Sequence, residues 1–597
     1  MTKTLLSGNE AIARGAYEAG VTVAAGYPGT PSTEILQNIA EKYKDVIYAE
    51  WSPNEKVAFE VAAGAAYAGA RAMVTMKHVG LNVAADPLMT LAYTGVVGGF
   101  VAVVADDPGM HSSQNEQDTR HFARFAKVPI VEPSDSQEAK DFVKIALDIS
   151  EEFNTPVILR SNTRISHSRC LVTELPRQEL DKPIHFVKDP PRFVAVPIWA
   201  RHMRVRLEER LTKLYQYTET CTLNKIIWQD KTLGIVTAGV AYQYVREVFP
   251  NASVLKLGMP FPFPDDMIRT FAAGVEELLI VEELEGFVEE HIKALGIACT
   301  GKSVFPNIGE FSPDVLAAVH SAQFTRSGKQ TESASYNRGS ANIPALPNRP
   351  PVLCPGCPHR GIFYALAQMD VVVVGDIGCY SLGLMPPLSR LDTLVCMGAG
   401  VSMAHGMDKA ERNNAAPQRI VGMVGDSTFF HSGITGLLDI AYNKGTSTII
   451  VADNRTTAMT GHQDHPGSGR TLMGEETVKV SIAEIGKACG IKNVRTVDPR
   501  DVQTAVALVK EATESPETWL IVSEAPCPLH LKKPLGPPLS VKEEVCKKCN
   551  MCLKLGCPGL EKVGSTIQIN ELLCAGCKMC QNICPARAIE IYTTTHQ

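Results

Sequence analysis

Eight of the 17 cysteines in this chain fall between Cys546 and Cys584, in two runs of nearly equal spacing. The first reads Cys546-x2-Cys549-x2-Cys552-x4-Cys557-Pro558, the second Cys574-x2-Cys577-x2-Cys580-x3-Cys584-Pro585. A chain of 597 residues can bury a sufficient core without disulfides, so thiols this dense read as a metal framework. Three thiolates two residues apart wrap one face of a cubane iron–sulfur cluster and leave its fourth ligand to come from elsewhere. Zinc is the alternative, because two Cys-x2-Cys pairs close a tetrahedral site. Triplets followed by a Cys-Pro fit zinc poorly.

Residues 540–597 resemble the bacterial two-cluster ferredoxins. In those proteins the fourth ligand comes from the other motif. The resemblance implies Cys546, Cys549, Cys552 and Cys584 on one [4Fe-4S] cluster, and Cys557, Cys574, Cys577 and Cys580 on the second. Cys557 comes one residue later than its counterpart, so the loop around it is longer. The segment carries seven Lys and Arg against five Glu, a net of +2 that would attract an acidic electron acceptor such as a free ferredoxin.

The other residues are too many for one core and divide into several domains. With 45% hydrophobic and 20% charged residues the chain is globular. A net charge of -6 argues against a nucleic-acid binder. The start, MTKTLLSGNE, has no signal-peptide core, and the apolar run from Ala92 to Ala105 is broken by Gly95, Gly98 and Gly99. No membrane role and a cytoplasmic location are therefore expected. Residues 1–190 alternate apolar strand runs (Val21–Gly26, Ala72–Met76, Phe100–Ala105, Val157–Arg160) with helices such as Glu55–Gly69 and Ser136–Ile149. That is the pattern of a doubly wound α/β unit on a parallel sheet. Residues 191–322 form a middle α/β domain, with strands at Leu233–Thr237, Ser253–Leu257 and Leu278–Glu282. It opens on a basic stretch with Arg201, Arg204, Arg206, Arg210 and Lys213, read as a solvated linker helix, with an anionic-ligand contact as the alternative. Residues 323–351 lose periodicity and gain prolines, as a linker does. Residues 352–530 form a third α/β unit, similar in outline to the first, with strands at Val371–Gly375, Ile420–Gly425, Thr448–Ala452 and Trp519–Ser523.

In this third unit Gly425-Asp426-Ser427 ends one apolar strand and Asp453-Asn454-Arg455-Thr456 ends the next. Asp426 and Asn454 then emerge together at the carboxyl ends of neighbouring strands, where open α/β sheets bind ligands. A carboxylate, an amide oxygen and the main-chain carbonyl near Thr456 make an oxygen-only set suited to Mg²⁺ and phosphate. The pair Cys354-x2-Cys357 has a second reading as half a zinc or redox site completed by Cys379 and Cys396. The glycines from 398 to 406 lack the GxGxxG pattern, so they do not indicate a nicotinamide site.

Gly425-Asp426-Ser427 with Asn454 resembles the diphosphate-binding motif of thiamine diphosphate enzymes. Cys354-Pro355-Gly356-Cys357-Pro358-His359, Asp376-Ile377-Gly378-Cys379 and Gly398-Ala399-Gly400 are similar to segments lining that cofactor in the 2-oxoacid:ferredoxin oxidoreductases. Tyr27-Pro28-Gly29-Thr30-Pro31-Ser32 resembles the same family's substrate loop, and His78 its substrate-facing turn. The resemblance places Glu55 where a glutamate bonds the cofactor's aminopyrimidine, a carboxyl that general acid–base chemistry on that ring requires. Without it, Glu55 reads as a first-turn residue favoured by the helix dipole.

The domain order, a Pyr-type unit, a transketolase C-terminal-like middle domain, a PP-type unit and a two-cluster tail, most resembles the alpha-subunit family of the indolepyruvate-type enzymes. The resemblance implies oxidative decarboxylation of aryl 2-oxoacids with coenzyme A, using thiamine diphosphate, Mg²⁺ and two [4Fe-4S] clusters, with ferredoxin as acceptor. A domain present in longer single-chain relatives is missing, which implies a smaller beta subunit in a hetero-oligomer. Pyruvate or branched-chain 2-oxoacids as substrates, or an electron-transfer subunit without its own chemistry, are the alternatives.

Overall fold

A computed structural model describes residues 2–180, 184–324, 351–411 and 418–592. The chain divides into two compact units, Met1–Pro344 and Ala345–Gln597. Apart from its ends, the expected linker lies outside the described residues.

The first unit is built on a six-stranded sheet in the order Tyr48–Trp51, Val23–Gly26, Ala72–Lys77, Phe100–Asp106, Val157–Asn162, Ile130–Val131. Every neighbouring pair is parallel. Ala72–Lys77, Phe100–Asp106 and Val157–Asn162 are buried along their whole lengths, because helices cover both faces. That is why they read as unbroken apolar runs. The chain start, Lys3–Ser7, pairs antiparallel with Arg169–Thr173.

The basic stretch is the helix Pro197–Thr220. It is not merely solvated: Met203, Leu207, Leu211 and Leu214 form a buried stripe at helical spacing. A second sheet follows, ordered Glu277–Val281, Asp230–Ala238, Ala252–Leu257, Lys225–Ile227, with the last strand antiparallel. The expected boundary near residue 190 is not a break in the core. Leu207, Leu211, Val236, Leu255 and Phe263 pack in one cluster with Phe59, Val104 and Ile130.

The second unit holds another six-stranded parallel sheet, ordered Thr393–Leu394, Val372–Gly375, Ile420–Gly425, Thr448–Asp453, Trp519–Glu524, Asn493–Val497. Numbered by position in each sheet's own chain, both six-stranded sheets run 2-1-3-4-6-5. The cysteine-rich tail adds two small antiparallel pairs, Leu539–Val541 with Ile589–Ile591 and Leu560–Val563 with Thr566–Ile569. No helix among the described residues is long and apolar enough to cross a membrane.

Candidate active site

In an open parallel sheet the ligand crevice lies beyond the carboxyl ends of the strands, where the strand order reverses. In the second unit this point falls between Val372–Gly375 and Ile420–Gly425, whose following residues are Asp376 and Asp426. Asp426 is 4% exposed. Its Oδ1 accepts from the Ser427 amide at 2.8 Å and its Oδ2 from the Thr456 amide at 3.2 Å. His465 Nε2 stands 3.2 Å from the same Oδ2. Burial works to raise the Asp426 carboxyl, but His465, the Ser427 amide and Asp453 together hold the group below the ordinary range. Asp453, at the end of the next strand, is pushed up to about 7 by burial and by Asp426 beside it.

Asn454 follows, its Oδ1 accepting from the Thr456 amide at 3.1 Å and its Nδ2 3.5 Å from His359 Nε2. Burial pushes His359 down to about 4, so the ring is neutral at physiological pH. The Thr457 hydroxyl donates to Ser427 Oγ at 2.9 Å. Asp426, Asn454 and Thr456, expected from their spacing, and Ser427 and His359, expected from the family resemblance, thus converge. Asp453 and His465 join them unannounced; His465 is 39 positions from its partner, and no spacing rule links the two.

Asp376 is fully buried. Its Oδ2 accepts from the Gly398 amide at 2.8 Å, while Oδ1 has no partner among the described residues. Burial raises this carboxyl well above its ordinary value. An unpaired buried acceptor costs about 1–3 kcal/mol, a cost that a bound polar group removes. The surrounding main chain is bare. A Cβ on Gly378 or Gly425 would stand 2.4 or 2.7 Å from the Tyr380 ring, and Gly398, at φ +83°, would meet Ser432 at 2.7 Å. These residues fit a Mg²⁺-diphosphate: hard oxygen donors at Asp426 and Asn454, and glycines where a phosphate approaches the backbone.

Four thiols gather beside this crevice. Burial raises the Cys354 thiol, and Cys527 lies near it. Cys379 is pushed up to about 11 by burial, with Cys527, Cys354 and Asp426 around it. Cys357 is buried, with Cys354 and Cys379 nearby. Cys396 stands apart, exposed near Asp376, so the fourth member of the group is Cys527. Gly356, at φ +71° between the two cysteines, would place a Cβ 2.7 Å from Ala575 and 3.8 Å from Cys577 of the tail.

Arg360, 2% exposed, ties this loop to the tail. It donates to the Leu353 carbonyl, to Cys354 O at 3.1 Å, to Leu555 O at 3.0 Å and to Gly556 O at 2.6 Å. Tyr364 and Val502 pack with Leu555, Met579 and Ile583 in the same contact. Within the tail, one cavity is lined by Cys546, Cys549, Cys552 and Cys584. Burial raises the Cys580 thiol, with Cys577, Cys557, Cys574 and Cys552 around it. Among the described residues no three His, Cys, Asp or Glu side chains approach closely enough to hold a single metal ion.

In the first unit Glu55 opens the helix Glu55–Tyr67, whose cap is Asn54 Oδ1 accepting from the Val57 amide at 2.9 Å. Glu55 is 4% exposed, which removes the surface first-turn reading. Gly80 makes room for it, since a Cβ there would stand 2.7 Å from the Glu55 carboxyl. Lys77, not singled out from sequence, is pushed down to about 8 by burial against the pull of Asp107 and Glu55. His78 is buried, its Nε2 3.1 Å from the Asn115 carbonyl and its Nδ1 without a partner among the described residues. Thr30 lines a cavity of about 430 Å³ with Asp107, His111, Ser112, Thr163 and Arg164. Glu60 is exposed and paired to Lys56.

Residues 14–209 match the family model for pyruvate flavodoxin/ferredoxin oxidoreductase, thiamine diphosphate-binding, and residues 376–523 match that for the thiamine pyrophosphate enzyme C-terminal binding domain. The chain is 42% identical to the indolepyruvate oxidoreductase subunit IorA of Methanothermobacter marburgensis, over 98% of this chain and 97% of that one. The chain belongs to that family. It is 40% identical to the IorA subunit of Archaeoglobus fulgidus at the same coverage. The 2-oxoglutarate synthase subunit KorA of Methanothermobacter marburgensis is 24% identical over 51% of this chain. The chain is therefore an oxidoreductase of the thiamine diphosphate-dependent, 2-oxoacid:ferredoxin type.

Proposed function

We propose that this oxidoreductase decarboxylates aryl 2-oxoacids such as indolepyruvate, forming the aryl-acetyl coenzyme A thioester and CO2 and passing electrons to ferredoxin. The observation that carries this reading is the likeness to IorA subunits along almost the entire chain, which takes in the cysteine tail as well as both thiamine diphosphate domains. The subunit name of those relatives supports a smaller partner subunit here.

Asp426, Asn454 and the Thr456 main chain would hold Mg²⁺, with Gly378, Gly398, Gly425 and Ser427 along the diphosphate. In the first unit Glu55 would bond the aminopyrimidine, while Thr30 and His78 face the substrate. Thiamine diphosphate, when bound, supplies the carbanion chemistry of decarboxylation, and [4Fe-4S] clusters supply single-electron steps. The chain's part is to bind and orient. Burial keeps His359 neutral, and buried Glu55 would present its carboxyl to the cofactor's ring. The two crossed thiol sets would hold the tail clusters. The group Cys354, Cys357, Cys379 and Cys527, between the diphosphate crevice and the tail, supports a third.

An anaerobic screen of 2-oxoacids with coenzyme A and a viologen acceptor tests the reading. Indolepyruvate and phenylpyruvate should give kcat/KM at least tenfold above pyruvate and 3-methyl-2-oxobutanoate. The reverse order would reassign the substrate class. No reduction with any 2-oxoacid, while dithionite reduces the clusters, would leave a pure electron-transfer subunit.

A further inference from the structure

The helix Pro197–Thr220 turns its apolar stripe inward and leaves Arg206, Arg210 and Lys213 on a neighbouring face. With Arg192 they line an open cavity of about 590 Å³. Tyr93, Thr94, Phe153 and Asn154 line it too, and they stand a few residues before the strands Phe100–Asp106 and Val157–Asn162. The cavity thus lies at the amino ends of these strands, the opposite end from the Thr30 cavity and Glu55. Arg192 donates to the Val96 carbonyl at 2.5 Å and Arg210 to the Asn154 carbonyl at 2.9 Å. Arg206 reaches the Pro191 carbonyl at 3.4 Å.

Neutral carbonyls aim these guanidinium groups, and Asp189 acts on the Arg192 charge without forming an ion pair with it. Among the described residues none of Arg192, Arg206, Arg210 and Lys213 has a carboxylate within 4 Å. The contrast within the same unit is sharp: buried Arg71, Arg120 and Arg160 each pair with an acid. On the same helix Arg204 pairs with Glu208. Glu209 lines the cavity one turn from Lys213, a spacing at which such pairs form readily, yet the two do not meet. Glu152, Asp189 and Glu209 stay exposed at the rim. Arg210 is pushed down to about 10 by burial and by Arg206 and Arg192, the signature of crowded positive charge.

The geometry points to a second anion site, in which Arg192, Arg206 and Arg210 hold the phosphate of a small phosphorylated molecule whose body lies along Tyr93 and Phe153. Two half-buried guanidiniums call for a dianion, which a single carboxylate does not supply, and phosphate oxygens accept the planar guanidinium fork. The volume suits a metabolite-sized ligand. The site is distinct from the diphosphate crevice of the second unit and does not depend on what that crevice binds.

Equilibrium dialysis of the purified full-length protein, saturated with thiamine diphosphate and Mg²⁺, against radiolabelled inorganic pyrophosphate tests this. One equivalent per chain should be retained, more weakly as salt rises. Arg210→Gln and Arg206→Gln should each weaken retention at least tenfold; Arg206 is exposed, so its variant should keep the wild-type melting temperature. Equal retention by wild type and both variants, or none by wild type, would overturn the proposal. So would variants that shed a co-purifying subunit while binding pyrophosphate normally, since this face would then be a protein contact.

Discussion

Asp426 keeps its charge where burial opposes it, because two amides and His465 point at its two oxygens. Asp426→Ala removes that charge and should cost thiamine diphosphate affinity at least 100-fold, measured by titration with Mg²⁺, while the tail's visible and EPR spectra stay unchanged. Wild-type affinity in this variant would remove Asp426 from the metal site. Glu55→Gln separates binding from chemistry. The amide fills the space beside Gly80 and still forms hydrogen bonds, so cofactor affinity should survive. The proton function is lost, and turnover should fall by about 10²–10⁴-fold, worth roughly 3–5.5 kcal/mol of barrier. Activity within about twofold of wild type would show that Glu55 is not the acid–base group. The exposed, Lys56-paired Glu60 would not inherit the role. At this scale the sequence revealed residues that sit at strand ends, such as Asp426 and Asn454. It hid Lys77, Asp453 and His465, whose importance comes only from what the fold brings beside them.

Among elements, the join between the Cys354–Cys357 loop and the tail rests on one buried guanidinium spread over four carbonyls and on the Tyr364, Leu555 and Met579 packing. Arg360→Met leaves those carbonyls unsatisfied and should weaken the join by about 3 kcal/mol. The measurement is limited proteolysis in the proline-rich segment 526–538, which should be cut faster in the variant, with slower electron delivery from substrate to the tail. Unchanged cleavage would mean the apolar packing suffices alone. The central strands of the two six-stranded sheets were legible to within a residue or two, because burial on both faces enforces unbroken apolar runs, while Asp230–Ala238 begins three residues before its expected start, on exposed residues. The edge strands Tyr48–Trp51, Ile130–Val131 and Asn493–Val497 were not: they are short, and two carry polar residues such as Glu50, Arg495 and Thr496. The helix Pro197–Thr220 looked like a solvated linker because its charges outnumber its stripe, and only the fold shows that four residues of it are core.

For the whole molecule, iron content discriminates among the readings of the cysteines. Anaerobic purification should give about eight iron per chain from the tail and about twelve if Cys354, Cys357, Cys379 and Cys527 hold a third cluster. Cys527→Ser should then lose about four and leave the tail's signals intact. Zinc at about one or two per chain with negligible iron would overturn all cluster assignments. The eight tail cysteines stand out in the sequence by their density and spacing; Cys527 does not, since 148 positions separate it from Cys379.

The shared strand order 2-1-3-4-6-5 gives every loop of one six-stranded sheet a positional twin in the other. Lys77-His78 occupies the corner that Gly425-Asp426 occupies in the second sheet, and Tyr27 the corner of Asp376. The matched corners carry opposite chemistry: the second sheet presents a carboxylate after a bare glycine, and the first presents a lysine and a histidine. One strand order thus offers an anionic corner in one unit and a cationic one in the other.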